Sequence, residues 1–251
     1  MKTVIVIPAR YASSRFPGKP LVPLLGKPMI LWVAELSANV VGKDNVYVGT
    51  DDERIARVVN DGGFKFVMTS SDALTGTDRL AEVAEKIKAD IYINVQGDEP
   101  LVNPIDIQRI INAKIEYPNE VINGFCAMGE DEDPESINIP KVIFNEKQKL
   151  IYMSRRALPG FKDESKAPRK YFKQVCIYAF NRVELLEFRE FGRKSVLESS
   201  EDIEILRFLE IESSVRMIET KPGSLAVDIA EDVIKVEEAL KFKSNNNIKN
   251  D

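Results

Sequence analysis

The chain has 251 residues, of which 44% are hydrophobic and 30% charged, and its formal net charge is −5. This is an ordinary globular composition, and the acidic balance argues against nucleic acid as the main partner. The apolar runs are too short for a membrane-spanning helix, so we expect no membrane insertion. The absence of histidine excludes Ser-His-Asp and Cys-His triads and the usual zinc sites. Any metal would be held by carboxylates, which favours Mg²⁺ or Mn²⁺.

The cysteine content indicates a reducing compartment. Cys126 and Cys176 are the two cysteines, and no Cys-x-x-Cys spacing occurs. The first residues lead directly into an apolar run, without the pattern of a signal peptide. We therefore expect reduced thiols and a cytoplasmic protein.

Strands and helices alternate in the first half of the chain. Apolar runs predict strands at 4–7, 46–49, 64–68 and 91–95. Helical spacing predicts helices at 28–40 and 53–60. It also predicts a helix that is capped by Thr77 and another that begins at Pro104. Short links between alternating elements are typical of an α/β fold with a doubly wound, mainly parallel sheet.

The second half is less regular. We predict strands at 124–128, 141–145, 150–153, 175–180, 215–219 and 225–227, and helices at 183–191, 201–211 and 231–243. Residues 1–243 are expected to form a single domain, in which 129–172 is an inserted lobe over the cleft. The Asn-rich segment 244–251 is predicted to be disordered.

The loop after the first strand combines basic and rigid residues. Arg10, Arg15 and Lys19 lie among three prolines, and Gly18 allows close approach of the backbone to a ligand. Ligands of open α/β sheets bind beyond the carboxyl ends of the strands. The loop is therefore interpreted as a polyphosphate site, and the alternative is a solvated basic loop.

Two acidic residues follow other strands. Gln96 and Asp98 directly follow the strand at 91–95. The Gln96 side chain offers both a hydrogen-bond donor and an acceptor to a polar ligand. Asp228 follows the short apolar segment 225–227. If the two strand ends are adjacent, both carboxylates could share one Mg²⁺ with phosphate oxygens and water. The alternatives are a turn acid at Asp98 and a helix cap at Asp228.

Two further segments carry polar groups suited to a nucleotide or an acid. The hydroxyls and amides of Thr75-Gly76, near Arg79, could recognise a base or ribose, and the same residues could cap a helix. Arg155 could clamp a carboxylate, although surface arginine pairs such as Arg155-Arg156 are common.

Five segments together resemble a known family, the 3-deoxy-manno-octulosonate (Kdo) cytidylyltransferases, also called CMP-Kdo synthetases. They are IPARYASSRFPGKPL, LTGTDRLAEV, INVQGDEPLV, YMSRRALP and AVDIAED, and the resemblance extends to about residue 240. It implies a sheet of the nucleotide-sugar-transferase type with an inserted mixed β lobe that makes a homodimer contact. It also implies condensation of CTP with a sugar acid to a CMP-sugar and pyrophosphate, with Mg²⁺ as cofactor, for lipopolysaccharide or capsule biosynthesis.

The resemblance also implies roles for individual residues. The catalytic residues would be Arg10, Lys19, Asp98 and Asp228, of which the two aspartates would hold Mg²⁺. The other nucleotide-binding residues would be Ala9, Ser13, Ser14, Thr75, Gly76 and Arg79. The sugar acid would meet Gln96, Arg155, Gln174, Tyr178 and Arg207.

Two departures from the family pattern affect the sugar side. Gln174-Val175-Cys176 stands where the family has His-Leu-Gly, and Arg207-Phe208 is aligned with a family Glu-Gln pair. The acceptor therefore stays open between Kdo, which we favour, an 8-amino-octulosonate and a nonulosonate.

Other function classes fit less well. A glycosyltransferase usually has an Asp-x-Asp motif, which Asp98-Glu99-Pro100 lacks, and a dinucleotide oxidoreductase needs a Gly-x-Gly-x-x-Gly turn after the first strand. A non-catalytic nucleotide-binding protein would not need the matched pair of acids.

Overall fold

The computed structural model describes residues 1–13, 15–222 and 225–247. Within these residues, nine of the eleven strands form one sheet, and β2 and β3 form a separate hairpin. The strands are β1 (Thr3–Ala9), β2 (Pro23–Leu24), β3 (Lys27–Pro28), β4 (Val46–Thr50), β5 (Lys65–Met68), β6 (Ile91–Val95), β7 (Val121–Ala127), β8 (Lys141–Phe144), β9 (Leu150–Ser154), β10 (Phe172–Phe180) and β11 (Val215–Glu219).

Helices connect most of these strands. They are α1 (Met29–Val41), α2 (Glu53–Asp61), α3 (Gly76–Lys86), α4 (Pro104–Glu116), α5 (Arg182–Glu190), α6 (Val196–Glu201), α7 (Leu206–Glu210) and α8 (Asp232–Asn247). Single 3₁₀ turns occur at Lys19–Leu21, Lys43–Asn45 and Glu164–Lys166.

Helices cover both faces of the sheet, as predicted for a doubly wound fold. The alternation of β1 illustrates the two layers: Ile5 and Ile7 pack in the core formed with α1, α2 and α4, whereas Val4 and Val6 pack in the core formed with α3 and α5. All four side chains are fully buried. A strand that is covered on both sides has to be apolar at every position, which is why the run at 4–7 does not alternate with polar residues.

The sheet order is β11-β7-β10-β6-β1-β4-β5. The pairs of β1 with β4 and β6 are parallel, so the carboxyl ends of these three strands lie at one edge of the sheet. The loops after β1 and β6 are therefore neighbours. In contrast, β10 is antiparallel to both β6 and β7.

The segment 129–172 extends the sheet. Its strands β8 and β9 are paired antiparallel, and β8 joins the main sheet through β10. The segment that we predicted as an inserted lobe is thus continuous with the sheet through these hydrogen bonds.

Three predicted elements were wrong or displaced. The N-cap of α3 is Thr75, whose hydroxyl accepts a hydrogen bond from the Asp78 amide, and Thr77 lies inside the helix. Of the predicted helix at 201–211, only Glu201, at the end of α6, and Leu206–Glu210, as α7, are α-helical, and Asp202 between them adopts a left-handed conformation with φ of 52°. Residues 225–227 do not form a strand.

The end of the chain also differs from the prediction. α8 continues to Asn247, so residues 244–247 are helical rather than disordered. The remaining predicted tail, 248–251, lies outside the described residues, as does Ser14.

Candidate active site

A cavity of about 800 Å³ opens beyond the carboxyl ends of β1 and β6. It is lined by nearly all the residues that the sequence placed in the site: Ala9, Arg10, Ser13, Lys19, Thr75, Gly76, Arg79, Gln96, Asp98, Arg155, Gln174, Tyr178 and Asp228. The volume lies within the range of small-molecule sites. Residues from six separate parts of the chain therefore meet in one cleft.

The loop after β1 is held in a compact turn. Gly18 donates its backbone N–H to the Tyr11 carbonyl oxygen and has φ of +72°, a conformation that favours glycine. A Cβ atom on Gly18 would lie 3.1 Å from the Tyr11 ring, and the Arg54 guanidinium stacks on that ring. The turn leads directly into Lys19, so its geometry determines where the lysine ammonium lies.

Lys19 joins the two predicted metal ligands. Its Nζ atom lies 2.5 Å from Asp98 Oδ2 and 3.7 Å from Asp228 Oδ1, and Arg15 contacts the same Asp228 oxygen at 3.1 Å. Asp228 reaches this position because the Val227 amide donates to the Asp98 carbonyl oxygen. This hydrogen bond brings Asp228 next to Asp98, which was the condition for a shared Mg²⁺ site, although residues 225–227 do not form a strand.

The donor set fits a divalent cation that is also bound by the substrate. Among the described residues, no group of three or more His, Cys, Asp or Glu side chains could hold a metal, so Asp98 and Asp228 alone do not form a complete protein cage. Mg²⁺ is usually bound by one or two carboxylates together with phosphate oxygens and water. The two aspartates next to Lys19 and Arg15 match that arrangement.

The loop before α3 forms another wall of the cavity. Thr75 both caps the helix and donates its hydroxyl to Asp78 Oδ2, at 2.8 Å. Arg79 is almost fully buried and donates to the Thr69 hydroxyl, with Asp51 Oδ2 3.5 Å from its guanidinium. Thr75 is therefore a helix cap, as one alternative predicted, and it also lines the cavity, where the other alternative requires it to be.

Arg155 is anchored by backbone groups. Its guanidinium donates to the carbonyl oxygens of Ile137, Glu201 and Asp202. Each terminal guanidinium nitrogen carries two N–H groups, and each uses one in these bonds. One N–H of each terminal nitrogen is not used in these bonds, and Arg155 lines the cavity.

Gln174, Cys176 and Tyr178 line the cavity from one strand, β10. Burial raises the pKa of the Cys176 thiol and of the Tyr178 phenol well above their ordinary values. Both groups therefore stay protonated at neutral pH, and Cys176 has little thiolate character as a nucleophile.

Arg207 does not bind from this cavity, contrary to the prediction. It is fully buried and absent from the cavity lining, with its guanidinium 2.8 Å from Asp78 Oδ1 and 2.7 Å from Glu198 Oε2. The side chain also lies over the Phe188 ring. The two carboxylates occupy its donors in the core, so it joins α3, α6 and α7 instead of contacting a ligand.

The cavity also contains residues that sequence reasoning missed. Glu204 follows α6 and accepts a hydrogen bond from the Thr77 amide at 2.9 Å, and burial raises the pKa of its carboxyl group. Further examples are Asn138, Cys176, Lys194, Glu198 and Asp202. Local sequence carries no signal for Glu198, Asp202 and Glu204, since they reach the cavity through the packing of α6, α7 and the segment between them against α3.

Comparison with known proteins agrees with this geometry. A family model described as cytidylyltransferase matches residues 4–219. The chain belongs to the cytidylyltransferase family. It is therefore a nucleotidyltransferase, and the class predicted from the sequence is confirmed.

Individual relatives narrow the relationship. The cytidylyltransferase is 40% identical over 230 residues to the 3-deoxy-manno-octulosonate cytidylyltransferase of Escherichia coli, covering 90% of this chain and 91% of that protein. It is 39% identical over 248 residues to an 8-amino-3,8-dideoxy-manno-octulosonate cytidylyltransferase of a Shewanella strain, covering 96% and 99% of the two chains. The resemblance to CMP-Kdo synthetases is thus confirmed.

Solved structures give the same relationship. A CMP:2-keto-3-deoxy-manno-octonic acid synthetase complexed with CTP has a TM-score of 0.89 and 38% sequence identity, covering 97% of the cytidylyltransferase described here and 100% of that chain. A cytidylyltransferase from Leptospira borgpetersenii has a TM-score of 0.65 at 15% identity, over 96% of this chain and 87% of that one, which shows a shared fold. The predicted fold class is confirmed.

Proposed function

We propose that the protein transfers the cytidylyl group of CTP to a 2-keto-3-deoxy sugar acid, forming a CMP-sugar and pyrophosphate. The observation that carries the proposal is the contact of Lys19 with both Asp98 and Asp228 at the carboxyl edge of the sheet. This arrangement suits a triphosphate with a bound divalent cation, and the similar synthetase of known structure is complexed with CTP.

The basic loop after β1 binds the triphosphate. Arg10, Arg15 and Lys19 line the cavity from one segment and supply cationic donors for phosphate oxygens. The same donors stabilise the charge that develops on pyrophosphate as it leaves. Gly76 and Arg79, on the neighbouring wall, are expected to bind the cytidine, together with Thr75.

Asp98 and Asp228 would hold Mg²⁺ next to the phosphates. When bound, this ion neutralises phosphate charge and can lower the pKa of a coordinated hydroxyl group. In the free protein, Lys19 lies between these carboxylates. Binding of the triphosphate would give Lys19 a second set of anionic partners.

The transfer itself is a single displacement. The anomeric hydroxyl of the sugar acid attacks the α-phosphorus of CTP, a P–O bond forms, the bond to the β-phosphate breaks, and the hydroxyl proton is released. We expect inversion at phosphorus and no nucleotidylated protein, because Cys176 is held as a thiol and the chain has no histidine.

On the acceptor side, Arg155 is expected to bind the sugar carboxylate, with Gln96, Gln174 and Tyr178 facing the hydroxyls. Kdo is the acceptor that we favour. The 8-amino analogue is a specific alternative, because relatives with both names are about equally similar to this chain, at 40% and 39% identity.

Pyrophosphate release tests the proposal. The protein is mixed with α-labelled CTP, Mg²⁺ and each of Kdo, its 8-amino analogue and a nonulosonate, and kcat/KM is compared. We expect turnover that requires both CTP and a sugar acid, without label on the protein. No turnover with any of the three acids would refute the substrate class, and a labelled protein would refute the single displacement.

The setting of the reaction is also part of the proposal. Cys126 and Cys176 are free cysteines, as is usual in the cytoplasm, and no helix among the described residues is long and apolar enough to span a bilayer. We propose a cytoplasmic homodimer whose contact includes the segment 129–172. Ile137, Ile151 and Phe161 are large apolar side chains that this segment exposes.

A further inference from the structure

β10 carries an irregularity next to the cavity. Its pairing with β7 is regular up to Val175, opposite Gly124, and resumes at Tyr178, opposite Asn123. Cys176 and Ile177 of β10 therefore lie between two residue pairs that are consecutive on β7, so β10 has two extra residues at this point. Such bulges change the direction of side chains and occur often at functional sites.

Asn123 holds this bulge from inside the sheet. It is fully buried, and its Nδ2 atom lies 2.9 Å from the Val175 carbonyl oxygen, 3.2 Å from that of Gly124 and 3.3 Å from that of Ile177. Carbonyl oxygens only accept hydrogen bonds, so the amide end that faces them has to be the NH₂ group. The orientation of the Asn123 side chain is therefore determined by its surroundings.

This orientation determines that of Gln174. Asn123 Oδ1 can only accept, and the Gln174 Nε2 atom lies 3.1 Å from it. The same Nε2 atom lies 3.4 Å from the Tyr178 hydroxyl. Both N–H groups of Gln174 are thus directed into the protein, and no described residue donates to its Oε1 atom.

We propose that Asn123 is a positioning residue that turns Gln174 so that only the carbonyl oxygen Oε1 is presented to the acceptor sugar. This part of the pocket then selects a hydrogen-bond donor. A hydroxyl or an ammonium group can donate to Oε1, whereas a fluorine or an ether oxygen cannot. The inference rests on the proposed function, because it assumes that a sugar acid occupies this wall of the cavity.

Kinetics with substrate analogues test whether this part of the pocket selects a hydrogen-bond donor. Kdo is compared with analogues in which one hydroxyl at a time is replaced by fluorine or by an amino group. At the position that meets Gln174, fluorine is expected to lower kcat/KM about tenfold or more, because Oε1 is left without a donor. An amino group at that position is expected to change kcat/KM by less than about threefold.

Two variants locate the effect. In Gln174→Met the fluorine penalty at that position should vanish, while KM for CTP stays at the wild-type value. In Asn123→Ala the penalty should shrink, because the released amide can rotate and offer its NH₂ group. A purely structural defect would lower kcat/KM for all analogues alike. Gln108→Met, on the exposed side of α4, is the matched control and should keep the wild-type pattern.

The outcomes separate the hypotheses. If the wild type tolerates fluorine and rejects the amino group at every position sensitive to Gln174, or if Asn123→Ala keeps the full penalty, the proposal is wrong. If Asn123→Ala does not fold, the wild type and Gln174→Met alone decide whether this part of the pocket selects a hydrogen-bond donor. If the wild type turns over none of the sugar acids, the proposed function fails.

Discussion

Lys19 contacts both proposed metal ligands, with its Nζ atom 2.5 Å from Asp98 Oδ2 and 3.7 Å from Asp228 Oδ1. Replacing it with alanine removes a charge that binds the triphosphate and stabilises departing pyrophosphate. We expect kcat/KM for CTP to fall by about 10²-fold or more, the range found for a lost charge-stabilising donor. Lys27→Ala is the control, because Lys27 pairs with Glu35 and stacks on Trp32. Near-normal kinetics of the Lys19 variant would contradict its role.

The contribution of Asp98 and of Asp228 to Mg²⁺ binding can be measured separately. Asp98→Asn and Asp228→Asn should each abolish most of the turnover while preserving the fold, because each removes one carboxylate from the proposed Mg²⁺ site. Mn²⁺ binding in the presence of CTP, followed by electron paramagnetic resonance, should weaken in both variants. Asp44→Asn, at an exposed ion pair with Lys65, should change neither quantity. A variant with unchanged Mg²⁺ dependence would separate that residue from the metal.

Arg207 gives a test of a structural role where sequence reasoning had placed a ligand contact. Arg207→Met would leave Asp78 and Glu198 without their buried partner. We expect a loss of about 3–5 kcal/mol in the free energy of unfolding, measured with urea. Arg193→Met, which removes an exposed arginine stacked on Phe191, should cost much less. A stable Arg207→Met variant with a raised KM for the sugar acid alone would show that Arg207 contributes to binding of the sugar acid.

Contact between the loop after β6 and the end of β1 depends on the small size of one glycine. A Cβ atom on Gly97 would lie 3.0 Å from the Pro8 carbonyl oxygen and 3.4 Å from Ile7 and Ile30. Because the first of these contacts is with backbone, Gly97→Ala should push the two loops apart. We expect it to cost about 1–3 kcal/mol in stability and to raise KM for CTP, since Asp98 moves relative to Lys19.

Gly160→Ala is the matched control for that change. A Cβ atom on Gly160 would meet no atom within 4 Å, so unfolding in urea and KM for CTP should match the wild type. Equal behaviour of the two alanine variants would show that the close approach at Gly97 is not needed.

The elements differ in how far their sequences determine them. Apolar runs located β1, β4 and β6, because a strand buried on both faces carries its signal in consecutive residues. The helix predicted at 201–211 has suitable spacing, yet Asp202 breaks it and α7 turns Arg207 toward Asp78 and Glu198. That turn is imposed by a partner more than a hundred residues away, which no local pattern contains.

The same distinction applies to the site. Arg10, Lys19 and Asp98 were predictable because they follow strands whose ends meet at one edge of a parallel sheet. Glu204 and Asn123 were not. Glu204 reaches the cavity through contact with the N-terminus of α3, and Asn123 acts through a bulge whose position is visible only in the pairing of β7 with β10.

At the scale of the whole molecule, the proposed homodimer needs an exposed apolar surface in the segment 129–172. β9 is paired with β8 and exposes Ile151, of which 56% is accessible, within the segment 129–172. An apolar side chain on a strand near the periphery of a sheet is suited to burial against a second copy. We expect the wild type to sediment at twice the protomer mass in analytical ultracentrifugation at micromolar concentration.

A charge at that position should separate the protomers. Ile151→Glu would place a carboxylate in an apolar contact, and its desolvation should shift the sedimentation to the protomer mass. Ile115→Glu introduces the same charge on α4, where the isoleucine is 50% exposed and lies outside the segment 129–172, so it should leave the dimer intact. A wild type that sediments as a protomer would contradict the homodimer. Dissociation by Ile115→Glu but not by Ile151→Glu would instead place the contact at α4.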